Sequence, residues 1–174
     1  DTTGWTLELI NGNGSPYGIS LELPDSFPDS GTGFGFVSFA FLSNGIQNGS
    51  PDGFLLKDGS GNTVQFLSYE GVITLADGSE STDIGIAQTS STPVVASLQL
   101  QGTEGSCCES FAWAADDVDT PGVINNGQTF ASTSGVSFWV NEFHYDNDGT
   151  DSGEFIELAG TAGADLTDYT VELI

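Results

Sequence analysis

The sequence predicts an all-β chain folded as a sandwich or barrel. Three observations carry that expectation: glycine-punctuated turns at close intervals, apolar runs of strand length between them, and no apolar stripe of helical period. The 174 residues include 24 Gly, and Asn-Gly or Asp-Gly dipeptides begin at residues 11, 44, 48, 52, 58, 77, 126 and 148. Such pairs supply the positive-φ positions that tight hairpins need. Between the turns lie nine short apolar or alternating runs, at residues 5–10, 19–23, 34–42, 53–57, 63–69, 97–100, 138–145, 154–158 and 169–174. Each is the length of a strand, and helix is expected only as single turns in loops. Nine strands separated by turns suit a two-sheet sandwich or a closed barrel.

Composition narrows the functions open to such a chain. There are 25 acidic residues against one basic residue, Lys57, for a formal net charge of -24. Phosphate binding displaces counterions with Lys and Arg, so direct nucleic-acid binding is not expected. No run approaches the roughly 18 apolar residues of a membrane helix, and membrane insertion is not expected either. The chain opens on Asp1-Thr2-Thr3-Gly4 rather than on a basic and then apolar signal segment. Acidity this one-sided is self-repelling at low salt and tolerable where cations screen it. The expected setting is therefore extracellular or at the cell surface, in saline or calcium-rich surroundings. Apolar residues make up 37% of the chain, with 11% aromatic, enough for a packed core rather than disorder.

The start of the chain recurs at its end. DTTGWTLELI at residues 1–10 and DLTDYTVELI at residues 165–174 share six identities in ten, with Trp5/Tyr169 and Leu7/Val171 conservative. Residue 165 repeats residue 1, an offset of 164 residues. A module of about that length has begun again.

A family resemblance rests on several blocks. The stretch VNEFHYDNDGTDSGEFIELAGTAGADLTDYTVELI resembles the opening three strands of a bacterial lamin-tail-like domain. SNGIQNGSPDGFLL, VQFLSYEG, STDIG, STPVVASLQL and PGVINNGQTF resemble its later blocks, in the family's order. The resemblance implies an immunoglobulin-like β-sandwich. It also implies a non-catalytic domain of secreted bacterial proteins, often beside nuclease, phosphatase or other extracellular modules. One departure is that the order is rotated, the opening blocks standing after the closing ones. A circular permutation would let residues 138–158 complete the sandwich begun at residue 1, but would leave residues 165–174 as a duplicate strand. The simpler expectation is a window on a tandem array. Residues 1–130 then form a body lacking its first strands, residues 131–135 a small polar linker, and residues 136–174 the opening strands of the next module. Those strands would pack on a neighbouring copy and bury Phe138, Val140 and Ile156 there, giving a linear polymer of the chain with itself.

The densest acidic segment is Asp146-Asn147-Asp148-Gly149-Thr150-Asp151, preceded by Glu142 and followed by Glu154. Oxygen ligands around a Gly-turned loop fit calcium, which takes six to eight oxygens. The expected ligands are Glu142, Asp146, Asp148, Asp151 and Glu154, although the spacing is not that of an EF-hand. The competing reading is an acidic hairpin loop whose Asp and Asn side chains bond the local backbone. His144 has no second His, and Cys107-Cys108 fits neither a zinc nor a C-x-x-C spacing.

Catalysis is not expected. There is no G-x-S-x-G and no H-E-x-x-H, and the chain has a single His. Glu154 and Glu157 lie three apart in one strand and face opposite sides. Trp5, Trp113 and Trp139 suit core or interface positions, or a sugar-binding platform. Lys57 suits an edge strand, where it blocks unwanted pairing. The leading expectation is a structural module of an extracellular fibre or repeat protein. The alternatives are an accessory domain of a secreted nuclease or phosphatase, or a calcium-dependent carbohydrate-binding module.

Overall fold

A computed structural model describes residues 6–24, 26–58, 60–131 and 135–163. The chain is all-β with two sheets, the class its turn spacing predicts. Among the described residues there are eleven strands and a single 3-10 turn.

The first compact unit comprises residues 6–24 and 47–85. Its sheet runs β2-β1-β4-β5-β6, with β1 Thr6–Asn11, β2 Pro16–Glu22, β4 Asp52–Lys57, β5 Thr63–Tyr69 and β6 Thr82–Asp83. The central place belongs to β1, antiparallel to β2 on one side and to β4 on the other. Leu7, Glu8 and Leu9 are fully buried and Ile10 nearly so. The turn after β1 closes through Asn11 N–H to Ser15 O at 2.9 Å, as the Asn-Gly signal predicts. The Asp52-Gly53 pair differs, because it lies inside β4 and not in a turn. A Cβ on Gly53 would stand 2.3 Å from Leu67 O, so this glycine serves close approach of two strands rather than positive φ. Ile10, Leu55, Phe66 and Ile73 make the unit's apolar cluster.

The second unit comprises residues 26–46 and 86–163. Its sheet runs β3-β11-β10-β7-β8, with β9 added in parallel to β7. The strands are β3 Phe34–Ala40, β7 Ala96–Gly105, β8 Ala112–Val118, β9 Gln128–Phe130, β10 Phe138–His144 and β11 Phe155–Thr161. Phe34, Phe36, Leu100, Trp139 and Ala159 form the core, with Phe111, Trp113, Ile124 and Phe130 against it. Phe34 stacks on Phe130 at 4.4 Å. Gly160 leaves room for Phe27, whose ring a Cβ there would meet at 2.5 Å. Strands β6, β8 and β9 were not among the nine expected. The first and last are two and three residues long, too short for a periodic signal. AWAADDV in β8 carries two consecutive acids that mask its alternation.

The C-terminal strands depart from expectation. Residues 136–163 were assigned to a neighbouring copy, yet β11 pairs with the chain's own β3 along seven positions, from Phe155↔Ala40 to Thr161↔Phe34. On its other side β10 reaches β7 through Glu142↔Gln99 and Phe143↔Leu98. Phe138, Val140 and Ile156 are thus buried within a single copy, at 8%, 1% and 0% exposure. The rotated order returns the two missing strands to the body from its own C-terminal part. The last expected strand, residues 169–174, lies outside the described residues, as do residues 1–5 and most of the linker.

Candidate functional site

The most organised polar site lies on the second sheet, where a bulge in β10 separates Val140↔Leu158 from Glu142↔Glu157. The extra residue, Asn141, brings three consecutive ladder positions into one hydrogen-bonded network. Asn141, Glu142 and Glu157 are each 0% exposed. Two carboxylates directly opposite each other are ordinarily destabilising, so what surrounds them decides their state.

Glu142 is richly supplied with donors. Its Oε1 accepts from Ser97 Oγ, from Gln99 Nε2 at 3.0 Å and from Thr120 N–H at 2.7 Å. Its Oε2 accepts from Thr120 Oγ1 at 2.8 Å. Glu157 has fewer: Oε1 accepts from Asn141 Nδ2 at 2.9 Å and Oε2 from Gly122 N–H at 2.6 Å. Burial pushes Glu157 up to about 9, and the neighbouring Glu142 charge adds to that. Burial also raises Glu142, against the pull of the Ser97 and Thr120 donors. Four donors favour the anion at Glu142; two donors and a like charge leave the proton on Glu157.

The network ties down the loop between β8 and β9. Asn125 Nδ2 donates to Leu100 O at 3.0 Å and to Asn141 O at 2.9 Å. Asn126 N–H donates to Gln99 Oε1 at 3.2 Å, and Gln128 Nε2 to Asn141 Oδ1 at 2.8 Å. Residues 119–126 therefore form a strap held from β7, β10 and β11 almost wholly by side chains. Gly122, Val123 and Ile124 of the strap, with Pro28, Asp29 and Phe36, border a cleft of about 340 Å³.

The five residues expected to bind calcium have separate engagements. Glu142 serves the strap as above. Glu154 accepts from the N–H groups of Gly45 and Ile46 at 2.8 and 3.1 Å, and burial, with the Asp151 charge, raises it. Asp151 Oδ1 accepts from Asn147 N–H at 3.2 Å. Asp146 N–H donates to Gln88 Oε1 at 3.2 Å, and Asp148 is exposed. The loop centres on the Asn147 side chain, 1% exposed. Its Nδ2 donates to Asp148 O and Thr150 O, and its Oδ1 accepts from Ser152 N–H at 2.9 Å and meets His144 Nε2 at 3.2 Å. Among the described residues no three His, Cys, Asp or Glu groups are placed to hold one metal ion.

The remaining singled-out residues resolve simply. Lys57 Nζ stands 3.0 Å from the buried Glu8 Oε1, so the chain's one cation holds a central strand and is not an edge block. Trp139 is 1% exposed, and Trp113 meets Phe143 edge-on at 5.4 Å; both are core rings. Trp5 lies outside the described residues. Cys107 and Cys108 are free thiols, and burial, with Glu109 beside it, pushes Cys108 up to about 12.

Sequence reading missed Gln99, Thr120, Asn125, Asn141 and Glu157 as one group. The usable signal was amides and acids inside otherwise apolar strands, as in SLQL and FWVNEFHY. Comparison with protein-family models, with curated proteins and with solved structures finds no match.

Proposed function

We propose that the chain is a structural, non-catalytic module of a linear extracellular assembly. Successive copies stand in line, and the segment after β11 of one copy supplies β1 of the next. The observation that carries this is the recurrence of DTTGWTLELI as DLTDYTVELI. A sheet has one β1 position, between β2 and β4. Assigning both segments to one copy leaves one over, whereas in a line of copies every segment has a place. The recurrence keeps Glu172 where Glu8 meets Lys57, and Val171, Leu173 and Ile174 where Leu7, Leu9 and Ile10 are buried. The immunoglobulin-like, lamin-tail-like form of the module belongs to the same proposal, as does its extracellular setting, which the charge of -24 supports. Because β10 and β11 complete their own sheet, sharing is confined to residues 165–174.

The test joins residue 174 directly to residues 11–163 of a second copy. Both copies should melt in one temperature range with about twice the enthalpy of one, since unfolding enthalpy scales with length. Truncation after residue 163 should leave a folded single copy. A second copy that stays unfolded, or a first copy that unfolds on truncation, would sink the reading.

A further inference from the structure

The strap at residues 119–126 is held by two carboxylates that face each other with no cation between them. Each element packed around them contributes neutral or negative groups. From β7 come Ser97 and Gln99, from β9 Gln128, and from β3 Ser38 opposite Glu157. The strap itself contributes Asp119, whose charge acts on Glu142. Asp117 of β8 accepts from Gln101 and Asn126. Along β10 the next titratable group is His144, engaged with Asn147. Lys57 stands on Glu8 in the first sheet. Two adjacent anions buried without a counter-charge repel strongly at low dielectric, so the arrangement is stable with one proton between them.

We propose that Glu142 and Glu157 form a one-proton latch that holds the strap on the sheet, and that losing the proton releases the strap and opens the cleft it borders. The donor count places the proton: Thr120 presents both its N–H and its hydroxyl to the anionic Glu142, and Gly122 N–H rests on Glu157. When Glu157 ionises, the cross-strand pair becomes two anions. Moving the strap away admits water to both. Gly122 leaves with it, and because Val123 and Ile124 follow in sequence, one wall of the cleft moves too. The trigger is alkaline, since burial has already carried Glu157 to about 9. The inference is independent of how copies are joined.

The full chain tests this by two measurements. The 13C carboxyl resonance of Glu157 should titrate near pH 9, far above the ordinary carboxylate range. Subtilisin cleavage, normalised to an unstructured peptide, should rise about ten-fold within residues 119–126 between pH 8 and pH 10, while the rest of the chain stays resistant; ten-fold is what one titrating proton gives per pH unit. In Glu157→Gln, which has no such proton to lose, strap cleavage should be flat over that range. Titration of Glu157 below pH 6 would overturn the latch. So would unchanged strap cleavage in the wild type, cleavage spread over the whole chain, or an alkaline rise that survives in the Gln variant.

Discussion

The two sheets bury acid by opposite means. In the first, Glu8 of the central strand is fully buried against Lys57 at 3.0 Å. In the second, Glu142 and Glu157 are as deeply buried, and their partners are amides, hydroxyls and backbone N–H groups. A chain with one Lys and 25 acids cannot repeat the first solution. The second divides the task among many neutral donors, so that the loss of one leaves the others in place. The first concentrates it in a single contact.

The largest expected effect breaks that contact. Lys57→Met should cost about 3 kcal/mol, because removing one partner strands a buried charge; the residual exposure of Lys57, at 15%, keeps the figure toward the low end of that class. Adding Glu8→Gln should recover most of it. Gln99→Ala removes one donor of four from Glu142 and should cost about half as much. Urea unfolding of the three variants gives the ranking. Equal losses for Lys57→Met and Gln99→Ala would mean that the two sheets do not differ in this way.

A smaller effect separates the sheets by pH. In the first, burial pushes Asp52 up to about 6, partly offset by the N–H groups of Gly49 and Gly12. In the second, Glu157 stands at about 9. Both groups hold protons more tightly folded than unfolded, so each stabilises the fold most below its ordinary value and loses that contribution as pH rises through the folded value. The window for Asp52 runs from 3.8 to about 6, and that for Glu157 from 4.5 to about 9. Stability should therefore fall from pH 5 to pH 9, at no more than about 1.4 kcal/mol per pH unit for each proton. Asp52→Asn should flatten the curve below pH 6 and Glu157→Gln above it. A curve that rises with pH over this range would refute both assignments.

Much of the fold was legible because turns and apolar runs are local. Residues 63–69 were read with the bounds the structure gives to β5, and residues 34–42 overran β3 by two. Strand pairing was less legible, since β11 reaches β3 across more than a hundred residues and no local pattern encodes that partner. Hence Phe138, Val140 and Ile156 were recognised as apolar but given to the wrong sheet edge. The site was legible only in part. Glu142 stood out as an acid, but its role depends on Thr120 and Ser97, which are ordinary residues until the fold brings them within bonding distance. Asp52-Gly53 shows the same limit: a turn dipeptide by composition lies within a strand because Leu67 passes too close for a side chain.

The smallest expected effect concerns the acidic loop at residues 146–152, which extends the comparison to a third way of handling charge. A cation bound there would be coordinated by carbonyl and carboxylate oxygens turned inward. The structure gives that inner place to the Asn147 amide, whose Nδ2 takes the carbonyls of Asp148 and Thr150. Its Oδ1 takes Ser152 N–H, which a cation could not do. A neutral group that both donates and accepts closes the loop without adding charge. Asn147→Ala should therefore cost about 1–2 kcal/mol, through buried carbonyls and an N–H left without their partner. Chelation with EDTA at low ionic strength should leave the melting temperature of the wild type within about 1 °C, since only an ion that binds the folded state stabilises it by mass action. A fall of several degrees on chelation, restored by calcium and absent in Asp148→Asn, would reverse the assignment and place a cation where the amide now stands.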